Sequence, residues 1–227
     1  LDADAADHAF APRVARLVLF GDPTVLHGVE DETRPPRDGE VPDRSLLAYG
    51  TSITQGAFAS RQHLTFPSLT AQHLDADLSN LGTGGSAFCE PEIAEYIAAR
   101  DDWDAATIEV SVNMLTRDFT AAEFGERAEY LLDTVAGENP EKSVVAITLF
   151  PMFAELCGEA PEWPATPGEY RAALRDAADA AGHANITLVS GTDLLDDPRG
   201  LTPDLLHPND RGMADIAGKL AGSVDFR

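Results

Sequence analysis

Lysine is nearly missing from this chain: Lys142 and Lys219 are the only two, so 14 of its 16 basic residues are arginines. Against them stand 39 acidic residues in a length of 227, for a formal net charge of −23. A surface that negative repels nucleic-acid phosphates and anionic lipid headgroups, which argues against nucleic-acid and membrane partners. Cysteine is equally scarce. Cys89 and Cys157 alone exclude a disulfide-stapled scaffold and a four-cysteine zinc site, leaving one bridge as the most that could form. No apolar run approaches the roughly 18 residues of a membrane span. The opening Leu1-Asp2-Ala3-Asp4 lacks the basic start and apolar stretch of a secretory signal. The chain also starts without methionine, which reads as a processed or excised piece of something longer. The compartment therefore stays open, with a lean toward the cytoplasm.

What is present is a globular composition, 44% hydrophobic, long enough to bury one full core. Abundant acid with so little lysine resembles proteins of organisms living in concentrated salt. At about 1 M salt the Debye length is roughly 3 Å, which removes the repulsion between so many carboxylates, so instability at low salt is expected.

Residues 1–44 hold an alternating stretch, Val14 to Phe20, then Val25-Leu26, then a polar, proline-rich Glu30 to Pro42. They read as one or two strands and a connector, an edge element or the remnant of a preceding β domain. From Ser45 onward apolar runs alternate with helix-spaced segments. The strand-like runs are Leu46–Tyr49, Ala76–Leu81, Thr107–Val112, Ser143–Leu149 and Ile186–Val189. The helical candidates are Gln62–Leu74, Pro91–Ala99, Ala121–Ala136, Pro167–Ala181 and Asn209–Leu220. Pro67, Pro91 and Pro167 suit first turns, and Thr120 with Glu123 has capping-box spacing. Such alternation predicts a three-layer α/β/α fold on a five-stranded parallel sheet, flavodoxin-like in order 2-1-3-4-5.

In that architecture ligands bind where strands end, so the residues after each run carry the functional argument. After the first comes Gly50-Thr51-Ser52-Ile53-Thr54-Gln55-Gly56, which is neither a Gly-x-Ser-x-Gly elbow nor a P-loop. A serine in such a turn can equally be a helix cap. After the second comes Asn80-Leu81-Gly82-Thr83-Gly84-Gly85-Ser86, able to present backbone N–H groups to an anion. After the third comes Ser111-Val112-Asn113-Met114, and near the end stands Pro203-Asp204-Leu205-Leu206-His207-Pro208-Asn209.

These four edges together resemble, in order, the signature blocks of the SGNH hydrolase superfamily, the GDSL-like lipases and acylhydrolases. The resemblance covers about Ser45 to the end. It implies Ser52, Gly82, Asn113 and His207 as the residues for which the superfamily is named, with Asp204 as the third triad member. One departure is Thr51, where the family commonly has Asp or Ser. Its hydroxyl can still hold the turn. Gly82-x-Gly-Gly-Ser with Val112-Asn113-Met114 looks like a branch whose members often carry an N-terminal β-sandwich, which would make residues 1–44 its tail.

The chemistry calls for the same residue types. A serine hydroxyl needs a base during attack; His207 suits that work, and Asp204 would orient the imidazole. The N–H groups of Ser52 and Gly82 and the Asn113 amide would form an oxyanion hole. The expected activity is hydrolysis of small acyl esters, with acetylated carbohydrate suggested by the resemblance alone. No organic cofactor or metal is implied, and the expected partner is a small-molecule ester, with oligomeric state open. Two other readings compete: a catalytically silent carbohydrate-binding or assembly module, and a flavodoxin-like phosphate or nucleotide binder using Gly82–Ser86.

Remaining candidates carry less. His63 sits where it can line the pocket, although a solvent-facing position suits it better, and His8, His27, His73 and His183 lack partners. Asp193, Asp196 and Asp197 lack EF-hand spacing and read as a solvated acidic face. Phe150, Met152, Phe153 and Trp163 fit an acyl-site wall or the core equally well. Cys89 and Cys157 follow strands that would not be neighbours, which favours two free thiols.

Overall fold

The computed structural model describes residues 14–17, 25–30, 32–37, 39–158 and 161–226. Five strands, β1 (Arg44–Gly50), β2 (Ala76–Gly82), β3 (Ala105–Glu109), β4 (Ser143–Ile147) and β5 (Ile186–Val189), form one parallel sheet in the order β2-β1-β3-β4-β5. The central strands β3 and β4 are buried along their whole length, whereas the edge strands β2 and β5 are partly exposed. Continuous apolar runs are what a sheet covered on both faces requires.

The helices, in chain order, are α1 (Ser52–Gln55), α2 (Phe66–His73), α3 (Pro91–Ala98), α4 (Val112–Leu115), α5 (Ala121–Glu138), α6 (Phe153–Leu156), α7 (Pro167–Ala181), α8 (Gly191–Leu194) and α9 (Asp210–Leu220). One core lies between the sheet and α3, α5 and α7; it joins Leu47, Ala106, Ile108 and Val144 to Ile97, Phe124, Leu131 and Leu174. The other lies between the opposite face and α2 and α9, joining Leu46, Ala105, Val145 and Ile147 to Phe66, Met213 and Ile216. Alternate strand residues go to opposite cores, as the two-residue period of a strand dictates.

Local chemistry sets the helix starts. Pro67, Pro91 and Pro167 all occupy first turns. Thr120 with Glu123, and Thr166 with Glu169, each make a reciprocal capping box, worth about 1 kcal/mol per cap.

Several boundaries move. The helix expected from Gln62 begins at Phe66, because Thr65 is extended and caps it, leaving Gln62–Leu64 as a separate 3-10 turn. The third strand begins at Ala105 and stops at Glu109, because Ser111 takes a left-handed φ of 126° and the chain turns helical at Val112. The fourth stops at Ile147, short of Leu149. In the N-terminal segment, residues 14–17, 25–30 and 32–37 have no helix or strand, and Val18 to Phe20 lie outside the described residues. No helix among the described residues is long and apolar enough to cross a membrane.

Candidate active site

The C-terminal ends of β1, β2 and β3 and the segment before α9 converge on Ser52. Thr51 caps α1: its hydroxyl accepts the Ile53 N–H at 3.2 Å and donates to Glu109 Oε2 at 2.7 Å. Ser52 is thereby fixed at the first position of a short helix, where its N–H has no intrahelical acceptor. Gly50 is obligatory beneath this turn, since a Cβ there would fall 2.2 Å from Thr54 Oγ1 and 2.4 Å from the Glu109 carbonyl oxygen.

Ser52 Oγ lies 2.9 Å from His207 Nε2, and His207 Nδ1 lies 2.7 Å from Asp204 Oδ2. The other Asp204 oxygen accepts the Thr202 hydroxyl at 2.6 Å and the N–H groups of Leu206 and His207 at 2.9 and 3.0 Å. Partial burial pushes the Asp204 carboxyl upward. These hydrogen bonds, with the one from the imidazole, outweigh that and hold it well below the usual carboxylate range. The segment is anchored by Asn209, whose amide donates to the carbonyls of Arg199 and Leu201 while its oxygen caps α9. The arrangement can take a proton from Ser52 and stabilise the resulting imidazolium.

The oxyanion side differs from the sequence expectation in one residue. Gly82 N–H donates to Asn80 Oδ1 at 2.8 Å, so it is not a free donor. Its glycine serves close packing: a Cβ there would lie 2.2 Å from the Gln55 nitrogen. Along the same loop Thr83 N–H is taken by the Gly50 carbonyl, Gly84 N–H by Gln55 Oε1 and Ser86 N–H by the Thr83 carbonyl. Gly85 N–H is the loop donor left without an acceptor among the described residues, at a left-handed φ of 71°. In the sequence Gly85 belongs to the same glycine cluster as Gly82, with nothing in the residue types to tell the two apart. With a single open N–H, the loop lacks the row of donors that a phosphate nest requires. The loop also borders the nucleophile, since a Cβ on Gly84 would sit 3.6 Å from Ser52 Cβ. Asn113, buried at the start of α4, donates one amide hydrogen to the Ser86 carbonyl. The left-handed turn at Ser111 brings it to the Gly82–Ser86 loop.

The other candidates fall outside this cluster. Phe150 and Met152 are core residues, while Phe153 and Trp163 are partly buried and pack edge-to-face at 5.7 Å. His63 lines a cavity of about 550 Å³ between α2 and β2, and no residue of the Ser52–His207–Asp204 chain lines it. His183 pairs with Asp133. Asp196 pairs with Lys219, and Asp197 with Arg199 and Arg211. Both cysteines are free, Cys89 buried and Cys157 exposed. No group of three or more His, Cys, Asp or Glu among the described residues is placed to hold a metal ion. Sequence reasoning missed Phe58, whose exposed ring lies beside the His207 imidazole, and Glu109, buried below the serine turn.

Comparison with solved structures finds the same architecture. A candidate GDSL-like lipase from Bacteroides ovatus ATCC 8483 superposes with a TM-score of 0.69 at 23% identity, over 84% of this chain and 57% of that one. The salicylyl-acyltransferase SsfX3 of a tetracycline biosynthetic pathway gives 0.68 at 20% identity, over 81% and 56%. A two-domain esterase active on acetylated mannans gives 0.57 at 22% identity, over 81% and 50%. At these identities the likeness concerns the fold, and the chain spans little more than half the length of the first two. No curated protein matches it. The model of the GDSL-like lipase/acylhydrolase family matches residues 48–214, from β1 into α9, a span that holds Ser52, Asn113, Asp204 and His207. A match over that much of the sequence means that the chain belongs to the GDSL-like lipase/acylhydrolase family.

Proposed function

We propose that this chain is a serine esterase that cleaves small acyl esters through an acyl-enzyme. The observation that carries the reading is the unbroken relay from Ser52 Oγ to His207 Nε2 at 2.9 Å and from His207 Nδ1 to Asp204 Oδ2 at 2.7 Å. Ser52 Oγ attacks the ester carbonyl as His207 Nε2 takes its proton, and Asp204 stabilises the imidazolium. The tetrahedral oxyanion is held by Ser52 N–H, Gly85 N–H in place of Gly82, and the second Asn113 amide hydrogen. Collapse expels the alcohol, which takes the proton from His207. Water, deprotonated by His207, then releases the acid and regenerates Ser52. Each oxyanion donor is worth about 10²–10³ in turnover.

Acetylated carbohydrate is the substrate class we favour, supported by the two-domain esterase active on acetylated mannans among the similar structures. The test is hydrolysis of p-nitrophenyl acetate and covalent labelling by a fluorophosphonate, both in high salt, on wild type, Ser52→Ala and His207→Ala. Labelling at Ser52 with activity lost in both variants is the expected result. A folded wild type that neither labels nor exceeds background hydrolysis would overturn the reading and favour a binding module.

A further inference from the structure

Glu109 is a carboxyl group that the mechanism above leaves unused. It ends β3 beneath the serine turn and is only 2% exposed. A single oxygen, Oε2, accepts the Thr51 N–H at 3.1 Å, the Thr51 hydroxyl at 2.7 Å and the Thr54 hydroxyl at 2.9 Å. The backbone puts Gly50 beside it on β1 and Ile147 beside it on β4, and neither carries a charge. No ion pair neutralises it among the described residues. Tyr49, the residue before Gly50 on β1, is a titratable group that feels its charge.

A carboxylate buried without a cation is costly to keep ionised, and a turn that needed only an acceptor could have used an amide. All three donors, however, belong to the two residues that bracket the nucleophile. The Thr51 hydroxyl points its hydrogen at Glu109, because an ionised carboxylate can only accept, while its own oxygen receives Ile53 N–H; this fixes the entry into α1 immediately before Ser52. Thr54 clamps the same helix from the far side of Ser52.

We propose that Glu109 is a positioning residue for the nucleophile: its ionised carboxylate draws Thr51 and Thr54 onto the end of β3 and so holds Ser52 Oγ within reach of His207. Burial pushes the Glu109 carboxyl up to about 7, against the hydrogen bonds from Thr51 and Thr54. Protonation near neutral pH weakens the acceptor and slackens the turn. Ester hydrolysis should therefore fall as Glu109 takes up its proton.

The inference rests on the serine-esterase reading, and one set of measurements separates the two. Initial rates with p-nitrophenyl acetate, across about pH 5 to 9, are compared for wild type, Glu109→Gln and Thr54→Val. Glu109→Gln, a neutral isostere, is expected to lose about ten- to a hundred-fold in kcat at alkaline pH, since small misplacements of a nucleophile are that costly, with KM nearly unchanged. The pH profile of log kcat/KM should lose the step near pH 7 that Glu109 contributes. Thr54→Val should lower kcat in the same direction and by less. It also decides the matter if Glu109→Gln does not fold. Wild-type kcat and an unchanged pH profile in the folded variants would overturn the role of Glu109 while leaving the esterase intact. Failure of wild-type Ser52 to label with a fluorophosphonate would remove both.

Discussion

The Phe58 ring lies against the His207 imidazole, with centroids 4.9 Å apart and planes tilted by 40°. Phe58 is 65% exposed and holds a left-handed φ of 67°, a conformation that costs a non-glycine residue about 1–2 kcal/mol. Ser60, two residues on, keeps the loop in place by donating its N–H and hydroxyl to Asp210 at 2.8 and 2.6 Å. In the proposed mechanism His207 protonates the leaving alcohol, and an exposed aromatic ring beside it is well placed to receive that alcohol. Phe58→Ala should therefore raise KM several-fold for esters of a flat-faced alcohol, such as an acetylated pyranose, and change little for ethyl acetate. Stability should stay within about 0.5 kcal/mol, because the ring buries little. Equal effects on both esters would remove Phe58 from the leaving-group site.

In the proposed mechanism Asp204, whose Oδ2 lies 2.7 Å from His207 Nδ1, sets the tautomer of His207. In Asp204→Asn the amide oxygen can keep the bonds from Thr202, Leu206 and His207 N–H, which places the NH₂ group opposite His207 Nδ1. The imidazole must then carry its hydrogen on Nε2 and cannot accept the Ser52 proton. A loss of about 10⁴ in kcat is expected, as when the equivalent orienting carboxylate of a serine protease is replaced. Folding should be retained, as checked by thermal unfolding. Near-wild-type turnover would show that Asp204 only supports the loop.

The parts of this molecule that follow hydrophobic period and turn chemistry were legible in the sequence. Apolar runs such as Val144–Ile147 mark strands because both faces of the sheet are covered, and Thr120 with Glu123 marks a helix start by its spacing. The juxtaposition of Ser52, Asp204 and His207 could be anticipated because Ser52 follows the first strand and Asp204 and His207 stand three apart just before the last helix. Gly85 could not be separated from Gly82, because the distinction lies in which N–H groups the side chains of Asn80 and Gln55 consume. Glu109 reads as one acidic residue ending an apolar run, and nothing in its neighbours' types reveals that Thr51 and Thr54 converge on it from another element. Phe58 was hidden in the same way, since its contact with His207 spans most of the fold. Phe150 and Met152 are apolar residues beyond a strand end, where pocket wall and core have the same composition.

The acidic surface predicts a salt-dependent fold. On α5 the exposed Glu126, Glu129 and Asp133 lie within one or two turns of each other, and Glu138 adds a negative charge at the negative end of the helix dipole. Like charges four residues apart destabilise a helix by about 0.2–0.5 kcal/mol, and the cost is screened as the Debye length falls from roughly 30 Å at 0.01 M to 3 Å at 1 M. The unfolding midpoint should therefore rise steadily from low to multimolar KCl. The double variant Glu129→Gln/Asp133→Asn should show a shallower rise. A midpoint indifferent to KCl would mean that the carboxylates serve solubility alone.

Glu109 should also shape the dependence of stability on pH, with a sign opposite to that of the exposed carboxylates. Burial raises its folded-state value to about 7, above an ordinary glutamate value of 4.5, so the folded chain binds this proton more tightly than the unfolded chain. Its contribution is complete below about pH 4.5 and is lost as pH rises through about 7. The difference corresponds to about 3 kcal/mol above neutrality. Glu109→Gln removes the ionisation, so at alkaline pH the variant should melt higher than wild type by about 6–12 °C for a chain of this size. At acid pH the two should converge. Mapping both midpoints against pH by calorimetry provides the check. A variant less stable than wild type at alkaline pH would show that the carboxylate is a net stabiliser of the fold and that its burial costs less than the hydrogen bonds from Thr51 and Thr54 return.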